Sequence, residues 1–97
     1  MKTIGFYPAA EAEYLSQVAY YERKRADLGA LYCREFERLL KSIFEAPTHF
    51  DVVRDGVRVA SLKSFPYKIF FRLMGQEDIQ ILSVAHKKRP PGDWQNR

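Results

Sequence analysis

The chain has 97 residues, 46% of them hydrophobic and 29% charged, with a formal net charge of +4. That length suits one domain with one core, and the aliphatic and aromatic content excludes a disordered chain. No run of about 18 apolar residues is present to span a membrane, and the lone Cys33 excludes an internal disulfide or a metal site built on cysteine pairs.

Residues 3–7 predict a short strand with Ile4 and Phe6 on one face. The start carries one cation and then meets Glu11 and Glu13, too short an apolar run for a secretory signal, so cytoplasm is the expected compartment. Pro8 suits a helix start, where its missing N–H would be unpaired anyway. A first helix is expected from about Ala9 to Asp27, with Leu15, Val18, Ala19 and Glu22 following its turns. Arg23-Lys24-Arg25 forms its solvated end and complements the helix dipole. After Gly29 the pattern restarts. Leu28, Leu31, Tyr32, Phe36, Leu39, Leu40, Ile43 and Phe44 recur every three or four residues, and Pro47 ends this second helix near Ala46. Cys33 falls within it and reads as a small, partly buried side chain.

Residues 47–56 are a connector with turn signals at Pro47 and Asp55-Gly56, and His49 within it reads as a surface residue. Three strands follow. Residues 57–63 alternate, with Val57, Val59 and Ser61 on one face and Arg58, Ala60 and Leu62 on the other. Tyr67 to Met74 is aromatic and β-branched, and Ile79 to Ala85 is the last strand, beyond a polar turn at 75–78. The order β-αα-βββ predicts a single α+β domain over 1–97. Its helical hairpin packs on one face of a small, mostly antiparallel sheet, and a basic concave surface can form on the other.

Charge is unevenly placed. Residues up to Val53 carry seven cations and eight anions, whereas residues from Arg54 onward carry nine cations and four anions. A polyanionic partner, nucleic acid or an acidic protein segment, is therefore expected on the C-terminal half. The strongest local signal is the ending, where the last strand delivers His86, Lys87, Lys88 and Arg89, with Trp94 close by. Cations neutralise phosphates and an aromatic ring stacks on a base. His86 can serve as a general acid or base near neutral pH, or can hydrogen-bond backbone and lock the tail onto the sheet. Lys87-Lys88-Arg89 is either a solvated tail or a phosphate contact. Trp94 either plugs the core edge or stacks on a partner. On the strands, Lys68 and Arg72 share a face by alternation. With Arg58 on the neighbouring strand, and Lys63, they form a candidate patch for several phosphates. There is no glycine-rich phosphate loop, no histidine pair at metal spacing and no serine-histidine-aspartate order. No metal or cofactor is expected, and any catalysis would be metal-free phosphodiester cleavage.

The segment Leu62-Lys63-Ser64-Phe65-Pro66-Tyr67-Lys68-Ile69-Phe70-Phe71-Arg72 resembles the L-x-x-F-P-Y-x-I-x-Y-R stretch of the RelE/ParE toxin superfamily. The ending Val84-Ala85-His86-Lys87-Lys88-Arg89-Pro90-Pro91-Gly92-Asp93-Trp94 is similar to that group's V-A-H-x-x-R-x-P-x-x-W. With the element order, the resemblance covers essentially the whole domain and points to the plasmid-stabilisation branch. It implies the toxin of a type II toxin–antitoxin module, a growth inhibitor neutralised by a cognate antitoxin. RelE-like members are ribosome-dependent mRNA endoribonucleases, and ParE-like members poison DNA gyrase without catalysis. An inactive relative that only binds antitoxin is the third form. On the nuclease reading the resemblance implies that Lys68, Arg72, Lys87 and Arg89 stabilise charge on phosphate. His86 would move a proton, Trp94 would stack a base, and Arg58, Lys63 and Lys88 would hold nucleic acid. Lys68, Lys87 and Trp94 stand where the ribosome-dependent members carry two arginines and a tyrosine. Lysine lacks the bidentate fork that suits phosphate, and tryptophan lacks a hydroxyl.

Overall fold

The computed structural model describes residues 2–89 together with Trp94 and Arg97. A five-stranded sheet has the order β1-β5-β4-β3-β2, and two helices cover one face of it. The elements are β1 (Thr3–Phe6), α1 (Pro8–Lys24), α2 (Leu28–Glu45), a 3-10 turn (Pro47–His49), β2 (Val52–Arg54), β3 (Val57–Ser61), β4 (Tyr67–Met74) and β5 (Asp78–His86). The expected α+β architecture is the observed one. β1 lies parallel to β5 and all other neighbours are antiparallel, so the sheet is mixed.

The expected first helix ends three residues early, at Lys24. The chain then turns through Asp27, whose φ of 69° is left-handed, and restarts at Leu28. The Glu22 carboxylate closes this turn by accepting the N–H groups of Asp27 (3.3 Å) and Gly29 (3.0 Å). It thereby satisfies donors of the first turn of α2 that Asp27 leaves without a side-chain cap. Gly29 is where the two helices meet. A Cβ there would stand 2.8 Å from Glu22 Oε1 and 3.0 Å from the Val18 carbonyl.

β2 lay inside the expected connector. Asp55 and Gly56 both have positive φ, 52° and 76°, and Arg54 pairs with Val57, which makes a two-residue hairpin. Such a turn matches the twist of its flanking strands and converts the preceding residues into an edge strand.

The core between helices and sheet is aromatic. Tyr32 and Phe36 of α2 are fully buried against Ile69 and Phe71 of β4 and Ile79 and Ile81 of β5. Tyr32 sits among Tyr14, Tyr21, Phe65 and Tyr67, with ring centroids 4.9 to 5.9 Å away. Its hydroxyl donates to Gln17, so a buried polar tip is satisfied inside an apolar cluster. Leu15 and Leu31, read as inward from their periodicity, face outward and are 57% and 42% exposed.

One irregularity sets the faces of β5. Phe70 pairs with Ser83 but Phe71 pairs with Ile81, so Leu82 is an extra residue, a β-bulge. Up to Ile81 the odd-numbered residues face the helices. Beyond the bulge Val84 does so, while Leu82 and Ala85 join a second, smaller core on the opposite face with Val57, Phe70 and Trp94.

A candidate phosphate-binding site split across the sheet

Lys68 and Arg72 do share the face away from the helices, as alternation requires. Lys68 pairs laterally with Ser61 and Ala85, and Arg72 with Val57 and Gln80. Phe70 lies between them on the same face, and Trp94 covers Phe70 with ring centroids 5.9 Å apart. Trp94 is only 5% exposed. It therefore plugs the sheet, the first of its two sequence-derived alternatives. The Arg54 guanidinium lies 5.5 Å over its outer side. Arg72 is half-buried, with Nη2 donating to the Arg97 carbonyl at 3.3 Å. Arg72 Nε and Trp94 Nε1 are buried without a hydrogen-bond partner among the described residues. The ground between Lys68 and Arg72 is thus apolar and covered.

Arg58 does not join this patch. It lies on the helix-facing side of β3, where Nη1 donates to the Phe50 carbonyl at 2.7 Å and holds the 3-10 turn to the sheet. The alternation of β3 already separated Arg58 from Val57 and Val59. Grouping it with Lys68 failed because the registers place Val57 and Val59, not Arg58, beside Arg72 and Phe70. Lys63 lies in the β3–β4 loop. Its N–H and that of Ser64 donate to the Glu35 carboxylate at 2.7 and 3.0 Å. Burial raises the Glu35 pKa, but the Ser64 and Lys63 hydrogen bonds and nearby Arg38 outweigh it, leaving the group below its ordinary value of 4.5.

His86 is on the helix side, not the open side. The bulge at Leu82 shifts the alternation by one residue and turns it there. Its ring meets the Tyr67 edge at 5.5 Å, and its Nδ1 accepts the Lys88 N–H at 3.1 Å. This is the backbone-locking contact. Lys87 is engaged by backbone twice: its N–H donates to the Pro66 carbonyl and its Nζ to the Leu62 carbonyl, both at 2.8 Å. Lys88 and Arg89 are exposed. Residues 90–93 of the C-terminal motif lie outside the described residues.

Three residues that the sequence reading passed over organise this corner. β1 ends at Phe6, paired only as far as Ile81, so residues 82–86 of β5 form a sheet edge without a neighbouring strand. Side chains satisfy it instead. Glu13 Oε1 accepts the Val84 N–H (3.0 Å) and the Ser83 hydroxyl (3.4 Å), Gln17 Nε2 donates to the Val84 carbonyl (3.0 Å), and Arg97 Nη1 donates to the Leu82 carbonyl (2.8 Å). Arg97 also forks onto both Glu13 oxygens at 3.1 Å and lies 5.9 Å over the Tyr7 ring. The i, i+4 spacing of Glu13 and Gln17 was the visible signal, a polar pair on one line of α1.

The five candidate catalytic residues are therefore divided. Lys68 and Arg72 stand on the open face, His86 on the helix face beside Tyr67, and Lys87 and Arg89 in the turn between. Among the described residues no three His, Cys, Asp or Glu side chains converge in a group that could hold a metal ion, and no helix is long and apolar enough to cross a membrane.

No protein-family model and no curated protein matches the sequence. The solved structures do contain a match, described as "Chromosomal ParDE TA system from P. aeruginosa". It has a TM-score of 0.76 at 19% identity and covers 89% of this chain and 96% of that one. At that identity the likeness shows the fold, and the helical hairpin on a five-stranded sheet described above is the fold of a chain in that ParDE system.

Proposed function

We propose that this chain is the toxin of a type II toxin–antitoxin module and acts by binding its target, as a ParE-like inhibitor of DNA gyrase. The observation that carries the binding reading is the burial of Trp94 over Phe70, between Lys68 and Arg72. A phosphodiester cannot reach both cations at once while the indole lies there. His86, the one candidate proton carrier at this end of the sheet, stands on the other side. The likeness in fold to a chain of a ParDE system and the two sequence motifs support the toxin reading.

An antitoxin partner has a suitable surface. Two adjoining hollows of about 380 and 390 Å³ run between α2 and the β3–β4 loop. Leu28, Leu31, Leu39 and Phe65 supply apolar walls, and Arg34 and Arg38 supply a basic rim. An acidic amphipathic segment fits such a groove.

Induced expression tests the reading. The expected result is growth arrest with DNA-damage signalling and trapped gyrase–DNA complexes, relieved by co-expression of the antitoxin. Cuts in ribosome-bound mRNA at the A site, abolished by Lys68→Ala or His86→Ala, would replace gyrase inhibition with the nuclease reading. Unimpaired growth would leave an inactive, antitoxin-binding relative.

A further inference from the structure

α1 carries apolar side chains on two faces, and only one of them meets the core. Ala10, Tyr14, Val18 and Tyr21 pack between the helices and the sheet. On the outer side Ala12, Leu15, Ser16, Ala19, Tyr20 and Arg23 are all exposed, Leu15 and Tyr20 by 57% and 43%. Their spacing of three and four residues makes one continuous stripe along the helix, and a contiguous apolar stripe left in solvent marks a contact surface. Two small residues, Ser16 and Ala19, stand at its centre, and Leu15 and Tyr20 flank them. The Tyr20 ring is held in place by the Tyr21 edge, with centroids 5.2 Å apart, and by Lys24 Nζ at 5.2 Å. The ends of the stripe have opposite charge, with Glu11 in the first turn and Arg23 and Lys24 in the last. The other carboxylates of α1 are engaged elsewhere, Glu13 with Arg97 and Glu22 with the start of α2. Glu11 and Arg23 make no ion pair among the described residues.

We propose that this stripe is the contact surface for a second copy of the chain, with the two α1 helices antiparallel across a two-fold axis between residues 17 and 18. Ser16 of one copy then faces Ala19 of the other, and these small side chains let the two helices approach closely. Leu15 faces Tyr20 in the next layer out. Ala12 faces Arg23, which brings the Arg23 guanidinium to Glu11 of the other copy. A two-fold interface must be self-complementary, and this one meets small with small, apolar with apolar and acidic with basic. A parallel pair would set Glu11 against Glu11 and Arg23 against Arg23 and would align the helix dipoles, so charge selects the antiparallel pair. One helix face buries less than a standard interface of about 1,600 Å², so the dimer is weak, with a dissociation constant of about 10–100 µM. The surface shares no residue with the groove beside α2, and its role does not depend on the chain being a toxin.

Sedimentation velocity of the full chain, over a concentration series from the micromolar to the submillimolar range, tests the proposal. The expected result is a reversible monomer–dimer equilibrium. Leu15→Glu, at an exposed position, should weaken it by about tenfold or more while the thermal midpoint stays near that of the native chain. Glu11→Arg and Arg23→Glu should each weaken it about threefold, and the double exchange should return it to within about twofold of the native value. Orientation is read with Ser16→Cys and Ala12→Cys, each in a Cys33→Ala background, and a short bismaleimide. The Ser16→Cys thiols lie beside one another near the axis and should cross-link. Those of Ala12→Cys lie about 16 Å apart along the helices and should not. A chain that stays monomeric throughout the series would overturn the proposal. So would a dimer that Leu15→Glu leaves intact, or one that the double charge exchange does not restore. Cross-linking through Ala12→Cys as strong as through Ser16→Cys would mark a parallel pair and would overturn it as well.

Discussion

Trp94 is a single residue with two opposite sequence readings, and its burial decides between them. An exposed indole at the end of a basic tail is a stacking platform; a buried one over Phe70 is a core residue. Trp94→Ala should therefore cost stability, about 3–5 kcal/mol, as an aromatic truncation in a core does. Urea denaturation checks this, and as the only tryptophan, Trp94 reports its own environment. Its emission in the native protein should be blue-shifted and poorly quenched by iodide, and should move to the red on unfolding. Glu13 is the second decisive residue, because one carboxylate serves Arg97, Val84 and Ser83. Glu13→Gln keeps the shape but removes the charge, and should cost about 1.5–3 kcal/mol for hydrogen bonds to a charged group. A double-mutant cycle with Arg97→Ala should recover part of that cost as coupling between the two sites. Strict additivity in the cycle would mean that the pair contributes nothing jointly.

Elements are joined here by a few polar contacts at their ends. The helical hairpin closes through Glu22 onto the start of α2, with Gly29 at the point of closest approach. Gly29→Ala places a methyl group 3.0 Å from the Val18 carbonyl, so the helices must separate. Ordinary overpacking of this kind costs about 1–3 kcal/mol, against up to about 1 kcal/mol that alanine gains over glycine in helix propensity. A lowered thermal midpoint measures the net loss. Between α2 and the sheet, Glu35 holds the β3–β4 loop by its backbone. Its folded-state pKa lies below 4.5, so its contribution is full above the ordinary carboxylate range. That contribution is lost as pH falls through the depressed value. Wild-type stability should drop below about pH 4.5 more steeply than that of Glu35→Gln, when both are followed by denaturant midpoints across pH 3 to 6.

At the scale of the whole molecule, the sheet is strongest at its centre and weakest at its β2 edge. β4 is bonded on both sides, whereas β2 is three residues long with Val52 and Val53 exposed. Hydrogen exchange should be slowest at Ile69, Phe71 and Ile81, and should reach the amides of Val52 to Arg54 first. The element order, the 3.6-residue repeat of α2 and the face-sharing of Lys68 and Arg72 were legible from residues alone, because periodicity and alternation are local properties of the backbone. β2 was not. Three residues carry too little pattern, and only pairing with β3 makes them a strand.

The candidate site divides the same way. The sequence by itself determined that cations, a histidine and a tryptophan leave the last strand together. It could not say which face each would occupy. One bulged residue, Leu82, reverses the alternation and carries His86 to the helix side. Register across a sheet is set by pairing between segments distant in the chain, so no local spacing reveals it. The covering of Phe70 by Trp94 and the fork of Arg97 onto Glu13 are likewise contacts between residues far apart in sequence. Apolar burial and charge pairing select them only once the sheet exists. Tertiary structure thus decided that the basic ending meets two faces of the sheet, one closed by the Trp94 indole and the other holding His86 beside Tyr67.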